Sequence, residues 1–135
     1  MLALNGDSYC DVDIAALLAD YATNVGRPLV VLSRQDDTSR YGRVVCGPDG
    51  SILGFHEKQK GAGPGWINAG ICVLDRARLL DLPAARPVSI EREAFPAWVH
   101  DLRGFPCRGA FLEVGRPESY AKAETVFAGL SEGRR

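Results

Sequence analysis

Two acidic residues stand at the ends of short apolar runs, far apart in the sequence. Asp7 follows residues 2–4 and Gly6, and Glu113 ends the run that begins at Ala110. Ligands of open α/β sheets bind beyond the carboxyl ends of strands, and Gly6 lets the backbone pass close to such a ligand. Mg²⁺ is usually held by one or two carboxylates together with substrate phosphates. The two acids could therefore converge on one divalent cation, although Asp7 could equally be a turn or helix-capping residue.

Two other polar pairs interrupt or end strand-like segments. Glu57 and Lys58 follow Phe55-His56, whereas Asn68 and Gly70 fall inside the apolar run 66–74. The first pair is either a surface ion pair or a ligand site, in which Glu57 takes a sugar hydroxyl and Lys58 a phosphate. Asn and Gly are depleted in strands, so the second pair indicates either the close approach of a ligand or a β-bulge.

The other residues that often carry chemistry have no partner at a suitable spacing. His56 and His100 are interpreted as surface or structural histidines. The four cysteines form no Cys-x-x-Cys pair and no zinc-finger pattern. Cys46 and Cys72 lie in apolar runs and are expected to act as small buried hydrophobes. Cys10, beside polar loop residues, is the best candidate for a reactive thiol.

The elements that must position these residues alternate between strand and helix patterns, which predicts an α/β fold. Strands are predicted in seven apolar segments: 2–4, 29–32, 42–46, 51–55, 66–74, 102–107 and 110–114. Pro48-Asp49-Gly50 predicts a hairpin turn between two of them. A first helix is predicted from residue 14, with Asp11 or Asp13 as its N-cap. A second helical segment is predicted after Ser89, and Pro96 divides it into two short pieces. A last helix is predicted from Pro117 with an apolar face that reaches Leu130, followed by a frayed tail at 132–135.

Length and composition limit the classes of protein to be considered. The 135 residues suit one domain, and 46% hydrophobic with 24% charged residues is typical of globular proteins. A net charge of −1 gives no basic surplus for nucleic acid. No apolar run approaches the roughly 20 residues needed to cross a bilayer, so no membrane span is expected. The N-terminus lacks the basic and apolar regions of a signal peptide, and we expect a cytoplasmic location.

The glycine-rich segment 61–65 is not a nucleotide loop. It has neither the G-x-G-x-x-G spacing with a following helix nor the Lys-Ser/Thr of a P-loop. It is either a mobile loop over a cleft or a plain connector. A doubly wound nucleotide-binding fold usually places a first strand, a phosphate loop and a helix ahead of a turn such as that at Asp7, and we expect the chain to lack this unit.

Five short motifs, in order along nearly the whole chain, resemble those of the sugar-1-phosphate nucleotidyltransferase family, in its C-terminal portion. The form of the fourth motif and the segment from Ser89 to Pro96 are most similar to the branch that makes GDP-heptose or GDP-mannose. The motifs are Leu4-Asn5-Gly6-Asp7-Ser8-Tyr9, Ser39-Arg40-Tyr41-Gly42, Phe55-His56-Glu57-Lys58, Trp66-Ile67-Asn68-Ala69-Gly70-Ile71 and the run from Phe111 to Tyr120 that contains Glu113-Val114-Gly115-Arg116-Pro117.

The resemblance implies a Rossmann-like (GT-A-like), three-layer α/β/α fold, with residues 1–135 forming the sugar-phosphate-binding half without the N-terminal phosphate-loop unit. It implies transfer of a nucleotidyl group from a nucleoside triphosphate, such as GTP, to a sugar 1-phosphate, with release of pyrophosphate. Asp7 and Glu113 would bind Mg²⁺, although the family usually has Asp at the second position. The other implied roles are phosphate neutralisation by Lys58 and substrate binding by Gly42, Glu57, Asn68 and Gly70.

Three further expectations follow from the resemblance and its rivals. Without a phosphate loop, the chain alone is expected to bind nucleotide poorly and to be weak or inactive. An apolar strand edge at residues 2–4 predicts self-association or a complementing N-terminal segment. The rival interpretations are a non-catalytic sugar-phosphate-binding module and a GT-A-type glycosyltransferase that uses the D-x-D pair Asp11 and Asp13.

Overall fold

Among the residues that the structure describes, eight strands form: seven from the predicted apolar runs and an eighth, Ser8–Cys10, that was not predicted. The computed structural model describes residues 1–115 and 117–132. The strands are β1 (Leu2–Leu4), β2 (Ser8–Cys10), β3 (Leu29–Gln35), β4 (Arg43–Cys46), β5 (Ile52–His56), β6 (Gly65–Val73), β7 (Arg103–Cys107) and β8 (Phe111–Glu113). Six of them form one sheet in the order β5-β4-β6-β3-β7, with β1 also paired to β6. Strands β2 and β8 form a separate antiparallel pair.

The long strand β6 organises the sheet. Strand β3 runs along one side of it, while β4 pairs with its first half and β1 with its second half. All these pairings are antiparallel, and β3 with β7 is parallel. Residues 29–33 and 69–73 are buried without interruption, because both faces of the sheet are covered.

Side chains that alternate along β3 separate the core into two layers. Leu29 and Val31 pack with Leu17 on one face, and Val30 and Leu32 pack with Phe95 on the other. The helices are α1 (Ile14–Thr23), α2 (Arg76–Leu80), α3 (Phe95–Ala97) and α4 (Pro117–Glu132). Because α1 covers one face and α3 the opposite face, the predicted three-layer α/β fold is confirmed.

Local sequence signals act where the pattern predicts them. The carboxylate of Asp13 accepts a hydrogen bond from Ala16 N at 3.0 Å and caps α1. Gly50 N donates to Gly47 O at 3.1 Å and Gly50 has φ +79°, which completes the β4–β5 hairpin turn. The segment capped by Ser89 is a π-helical turn at Ile90–Ala94 that continues into the short helix α3. Two short pieces are therefore present, as predicted, but they meet between Ala94 and Phe95, and Pro96 lies within the second piece instead of breaking the segment.

The glycine-rich loop is attached to the loop before β4. Thr38 donates to Gly63 O through both its backbone N, at 3.0 Å, and its Oγ1, at 2.9 Å. Gly61 N donates to Ser39 Oγ at 3.1 Å. These bonds fix where β6 begins.

Cys10 is buried against Leu17, and burial raises the pKa of its thiol to about 12, so the prediction of a reactive Cys10 is wrong. The side chain of Leu130 and the tail from Gly133 lie outside the described residues, as does Arg116. Among residues 1–115 and 117–132, no helix is both long and apolar enough to cross a bilayer.

Candidate functional site

A cavity of about 410 Å³ opens where the turn after β1, the ends of β5 and β8, the middle of β6 and the π-helical turn meet. A volume of this size falls in the range of small-molecule sites, about 300–1,000 Å³. Six of the seven site residues predicted from the sequence line it: Asp7, Gly42, Glu57, Lys58, Asn68 and Glu113. Segments as distant in sequence as those of Asp7 and Glu113 thus contribute to one surface.

Asp7 and Glu113 reach the cavity through the β2–β8 pair. Ser8 lies opposite Glu113 in the strand register, and Val114 N donates to Asp7 O at 2.8 Å. Gly115 lies directly beside the Asp7 carboxylate, since a Cβ added there would be 3.4 Å from Asp7 Oδ2. The turn that carries Asp7 and the end of β8, which are distant in sequence, therefore lie side by side.

Glu57 and Lys58 follow the last residue of β5, and both are exposed. Gly42 lies just before β4, the partner strand of β5, and a Cβ added at Gly42 would be 3.4 Å from His56 O. The close approach of the two backbones puts the Gly42 peptide beside the acid and the base. His56 also lines the cavity. The sequence had suggested only a surface or structural role for it.

Asn68 has its amide orientation fixed by two hydrogen bonds. Its Oδ1 accepts from Gly70 N at 2.9 Å, and its Nδ2 donates to Glu91 Oε1 at 3.0 Å. The first bond spans the irregular part of β6, and the second links the sheet to the π-helical turn. One Nδ2 hydrogen and one Oδ1 lone pair remain for a ligand.

Gly70 is explained by the protein itself. Between the pairs Val30–Cys72 and Leu32–Asn68, β6 has more residues than β3, so Gly70 lies in a β-bulge. Its φ is +76°, and a Cβ would come within 2.9 Å of the Asn5 side chain. Gly70 does not line the 410 Å³ cavity, and the bulge alternative accounts for it.

The sequence interpretation missed several residues of the cavity. Glu91 and Arg92 line it from the π-helical turn, and Tyr41, Phe55, Phe95 and Phe111 supply aromatic walls. Tyr41 packs edge-on against Phe111, with ring centroids 5.9 Å apart. For the segment that follows Ser89, the sequence predicted only a helix. A π-helical turn, which often marks a functional site, has no simple sequence signal.

The D-x-D pair does not reach the cavity. Asp13 is used as the N-cap of α1, and neither Asp11 nor Asp13 is among the lining residues. Cys72 is buried beside Gly70, and burial raises the pKa of its thiol to about 11. The expectation that Cys72 acts as a small buried hydrophobe is confirmed.

The arrangement can bind an anionic, hydroxyl-rich ligand. Lys58 and Arg92 supply positive charge, Glu57 and Asn68 supply hydroxyl partners, and the backbone near Gly42 supplies peptide groups. Asp7 and Glu113 are hard oxygen donors that fit a Mg²⁺ ion sharing its coordination with phosphates. Among the described residues, no group of three or more His, Cys, Asp or Glu could hold a metal by itself.

Comparisons with known proteins find relatives that match nearly the whole chain. The profile of the family described as Nucleotidyl transferase matches residues 1–128. A mannose-1-phosphate guanyltransferase of Schizosaccharomyces pombe is 36% identical over 128 residues, which cover 92% of this chain and 35% of that protein. A mannose-1-phosphate guanylyltransferase catalytic subunit beta of Dictyostelium discoideum is 34% identical, with 87% of this chain and 33% of that protein covered.

Solved structures share the fold. HddC from Yersinia pseudotuberculosis superposes with a TM-score of 0.80 at 26% identity, covering 94% of this chain and 55% of that one. The same protein complexed with GMP-PN gives a TM-score of 0.79. The chain spans about a third of the length of the curated relatives that it matches. With a family match over residues 1–128 and the predicted residues gathered at one cavity, the chain belongs to the nucleotidyl transferase family.

Proposed function

We propose that this chain supplies the sugar-phosphate- and metal-binding part of a sugar-1-phosphate nucleotidyltransferase. The reaction joins a nucleoside monophosphate unit, taken from GTP, to a sugar 1-phosphate and releases pyrophosphate. The names of the related mannose-1-phosphate guanyltransferases support GTP and mannose 1-phosphate as the substrates. The cytoplasmic location remains a prediction from the sequence.

One observation carries the proposal. Residues from five separate segments, which the motifs pick out without reference to the fold, line one cavity of about 410 Å³: Asp7, Gly42, Glu57 with Lys58, Asn68 and Glu113. A cation, two hydroxyl-binding groups and two carboxylates in that space are what a metal-dependent transfer to a sugar phosphate requires.

The residues act by positioning and by charge. Lys58 neutralises the sugar phosphate, so that its oxygen can approach the negatively charged triphosphate in line with the bond that breaks. Glu57 and Asn68 hold sugar hydroxyls, and the bond from Asn68 to Glu91 prevents its amide from turning. The attacking group is the phosphate oxygen of the sugar phosphate, so the reaction proceeds without a covalent enzyme intermediate.

Asp7 and Glu113 would hold Mg²⁺. A bound Mg²⁺ ion neutralises charge on the reacting phosphates and orients them. Glu113 carries its carboxylate one methylene further from the backbone than the Asp usual in the family, so its oxygens would meet the ion at a greater distance from the β8 backbone. The β2–β8 pairing sets that position by placing Glu113 opposite Ser8.

The experiment is a pair of measurements on the full 135-residue chain. Mannose 1-phosphate is titrated and followed by ³¹P NMR with and without Mg²⁺, and pyrophosphate release is measured after GTP is added. We expect binding that Lys58→Met and Asp7→Asn weaken, with little or no turnover by the chain alone. Absence of mannose 1-phosphate binding at millimolar concentration would contradict the proposal. Binding that is unaffected by Mg²⁺ and by Asp7→Asn would support a non-catalytic binding module instead.

We also propose that the chain functions with a partner segment or a second copy at strand β1. Within the described residues, β1 pairs with β6 on one side only, and Leu4 is 61% exposed. An exposed apolar strand edge favours pairing with another chain. Light scattering at increasing concentration tests this proposal, on the chain alone and after addition of an N-terminal segment. A chain that remains monomeric at high concentration and binds no added segment would contradict it.

A further inference from the structure

Arg92 projects from the π-helical turn into the wall of the cavity that Lys58 also lines. Ser89 O accepts hydrogen bonds from Glu93 N at 2.9 Å and Ala94 N at 3.2 Å, and Ser89 Oγ accepts from Arg92 N at 3.2 Å. These bonds define the wide turn and fix the backbone of Arg92. Turns of this kind frequently occur at functional sites.

The acidic neighbours of Arg92 are both occupied elsewhere. Glu91 accepts from Asn68, while Glu93 accepts from Arg86 at 2.6 Å and from Ser89 N at 3.0 Å. Among residues 1–115 and 117–132, no hydrogen bond or ion pair to the Arg92 guanidinium is found. Within this part of the chain, none of its five N–H donors is engaged, so all five can serve a ligand.

The charge balance of the cavity favours a second cationic side chain beside the phosphate. Four carboxylates line it, from Asp7, Glu57, Glu91 and Glu113, against the ammonium of Lys58 and the guanidinium of Arg92. A phosphate monoester carries close to two negative charges near neutral pH. An ammonium is a point charge, whereas a guanidinium can hold two phosphate oxygens at once.

We infer that Arg92 is a second phosphate-binding residue, which holds the sugar phosphate from the π-helical turn while Lys58 neutralises it from the end of β5. This inference rests on the proposed function, because it names the group that holds the phosphate of the same substrate. It also assigns a role to the π-helical turn: the turn presents a cation and, through Glu91, fixes the hydroxyl-binding amide of Asn68.

The test compares three variants of the full chain by ³¹P NMR titration with mannose 1-phosphate at several salt concentrations. Arg92→Gln removes the charge, Arg92→Lys keeps the charge without the fork, and Arg76→Gln removes one charge from the exposed helix α2, outside the cavity. Charged hydrogen bonds contribute about 1.5–3 kcal/mol, so we expect Arg92→Gln to weaken binding about 10- to 100-fold and to reduce its salt dependence. Arg92→Lys should be intermediate, and Arg76→Gln should match the unmodified chain.

The outcomes separate this inference from the proposed function. If the unmodified chain binds mannose 1-phosphate and Arg92→Gln binds it equally well, the inference about Arg92 is overturned and the proposed function stands. If Arg92→Gln and Arg92→Lys lose affinity equally without a change in salt dependence, Arg92 has only a structural role and the inference is again overturned. If the unmodified chain does not bind the sugar phosphate, both fail. Near-UV circular dichroism checks that each variant is folded.

Discussion

Replacing Gly70 by alanine tests the bulge that joins β6 to the turn carrying Asp7. Asn5 N donates to Gly70 O at 2.7 Å, and a Cβ added at Gly70 would lie 2.9–3.0 Å from three atoms of the Asn5 side chain. Because Asn5 is two residues before Asp7, its displacement must move the turn that lines the cavity. The substitution therefore perturbs both stability and the site.

Two contributions to the free energy of unfolding can be separated. Alanine in the left-handed conformation required by φ +76° costs about 1–2 kcal/mol. Forcing the Asn5 side chain from its rotamer adds about 0.5–1.5 kcal/mol. We expect a total loss of about 2–3 kcal/mol, a large part of the roughly 5–15 kcal/mol that stabilises a domain.

The assay is urea unfolding at equilibrium. With a slope of about 1–3 kcal/mol per molar urea, the midpoint should fall by about 1–2 M. Gly54→Ala is the matched control, because Gly54 lies in β5 without a positive φ and a Cβ there meets no atom within 4 Å. Asn5→Gly combined with Gly70→Ala should recover the side-chain contribution and leave the backbone contribution.

A midpoint for Gly70→Ala equal to that of Gly54→Ala would refute the reasoning, because neither the strained backbone nor the Asn5 contact would then exist. No recovery in the double variant would refute the contact alone. As a second readout, Gly70→Ala should bind mannose 1-phosphate more weakly than Gly54→Ala, since only the former displaces the turn before Asp7.

Three other predictions follow from named contacts. Asp13→Ala should lower the free energy of unfolding by about 1 kcal/mol in urea, because the hydrogen bond from Ala16 N is lost. Sugar-phosphate binding should not change, and weaker binding would support the D-x-D interpretation instead. Glu113→Gln removes a charged metal ligand, so it should weaken Mg²⁺-dependent binding about 10-fold or more in the ³¹P titration, whereas Glu113→Asp should retain that binding. Equal binding by the two variants would count against Glu113 as a metal ligand. Burial raises the pKa of Cys72 from 9.0 to about 11, so the folded state keeps a proton that the unfolded state loses, and stability should fall as pH rises from about 9 to 11. Cys72→Ala should reduce that fall, and an unchanged pH profile would refute the assignment.

Much of the fold follows from local signals in the sequence. Uninterrupted burial of residues 29–33, the Pro48-Asp49-Gly50 turn and the Asp13 cap each act over a few residues, so sequence alone predicts them. Pairing partners do not follow in this way. The parallel pairing of β3 with β7, and the antiparallel pairing of β6 with β1, β3 and β4, depend on contacts between segments up to about seventy residues apart.

The same distinction between local and long-range information applies to the candidate site. Motifs identify the side chains at Asp7, Lys58, Asn68 and Glu113, because their types and flanking residues are visible locally. The motifs do not reveal that Glu91 orients Asn68, because that contact joins residues 23 positions apart through a π-helical turn with no sequence signature. They also leave Gly70 open between a ligand contact and a bulge.

The sequence by itself determined the fold class, the family resemblance and the chemical types at the site, since these depend on residue identity and short-range pattern. Only the tertiary structure decided which groups share a cavity, which acids are engaged by neighbours, and why Gly70 must be glycine. The physical reason is that strand pairing and side-chain packing are long-range: the Asn5 side chain excludes a Cβ at Gly70 only after β1 has paired with β6.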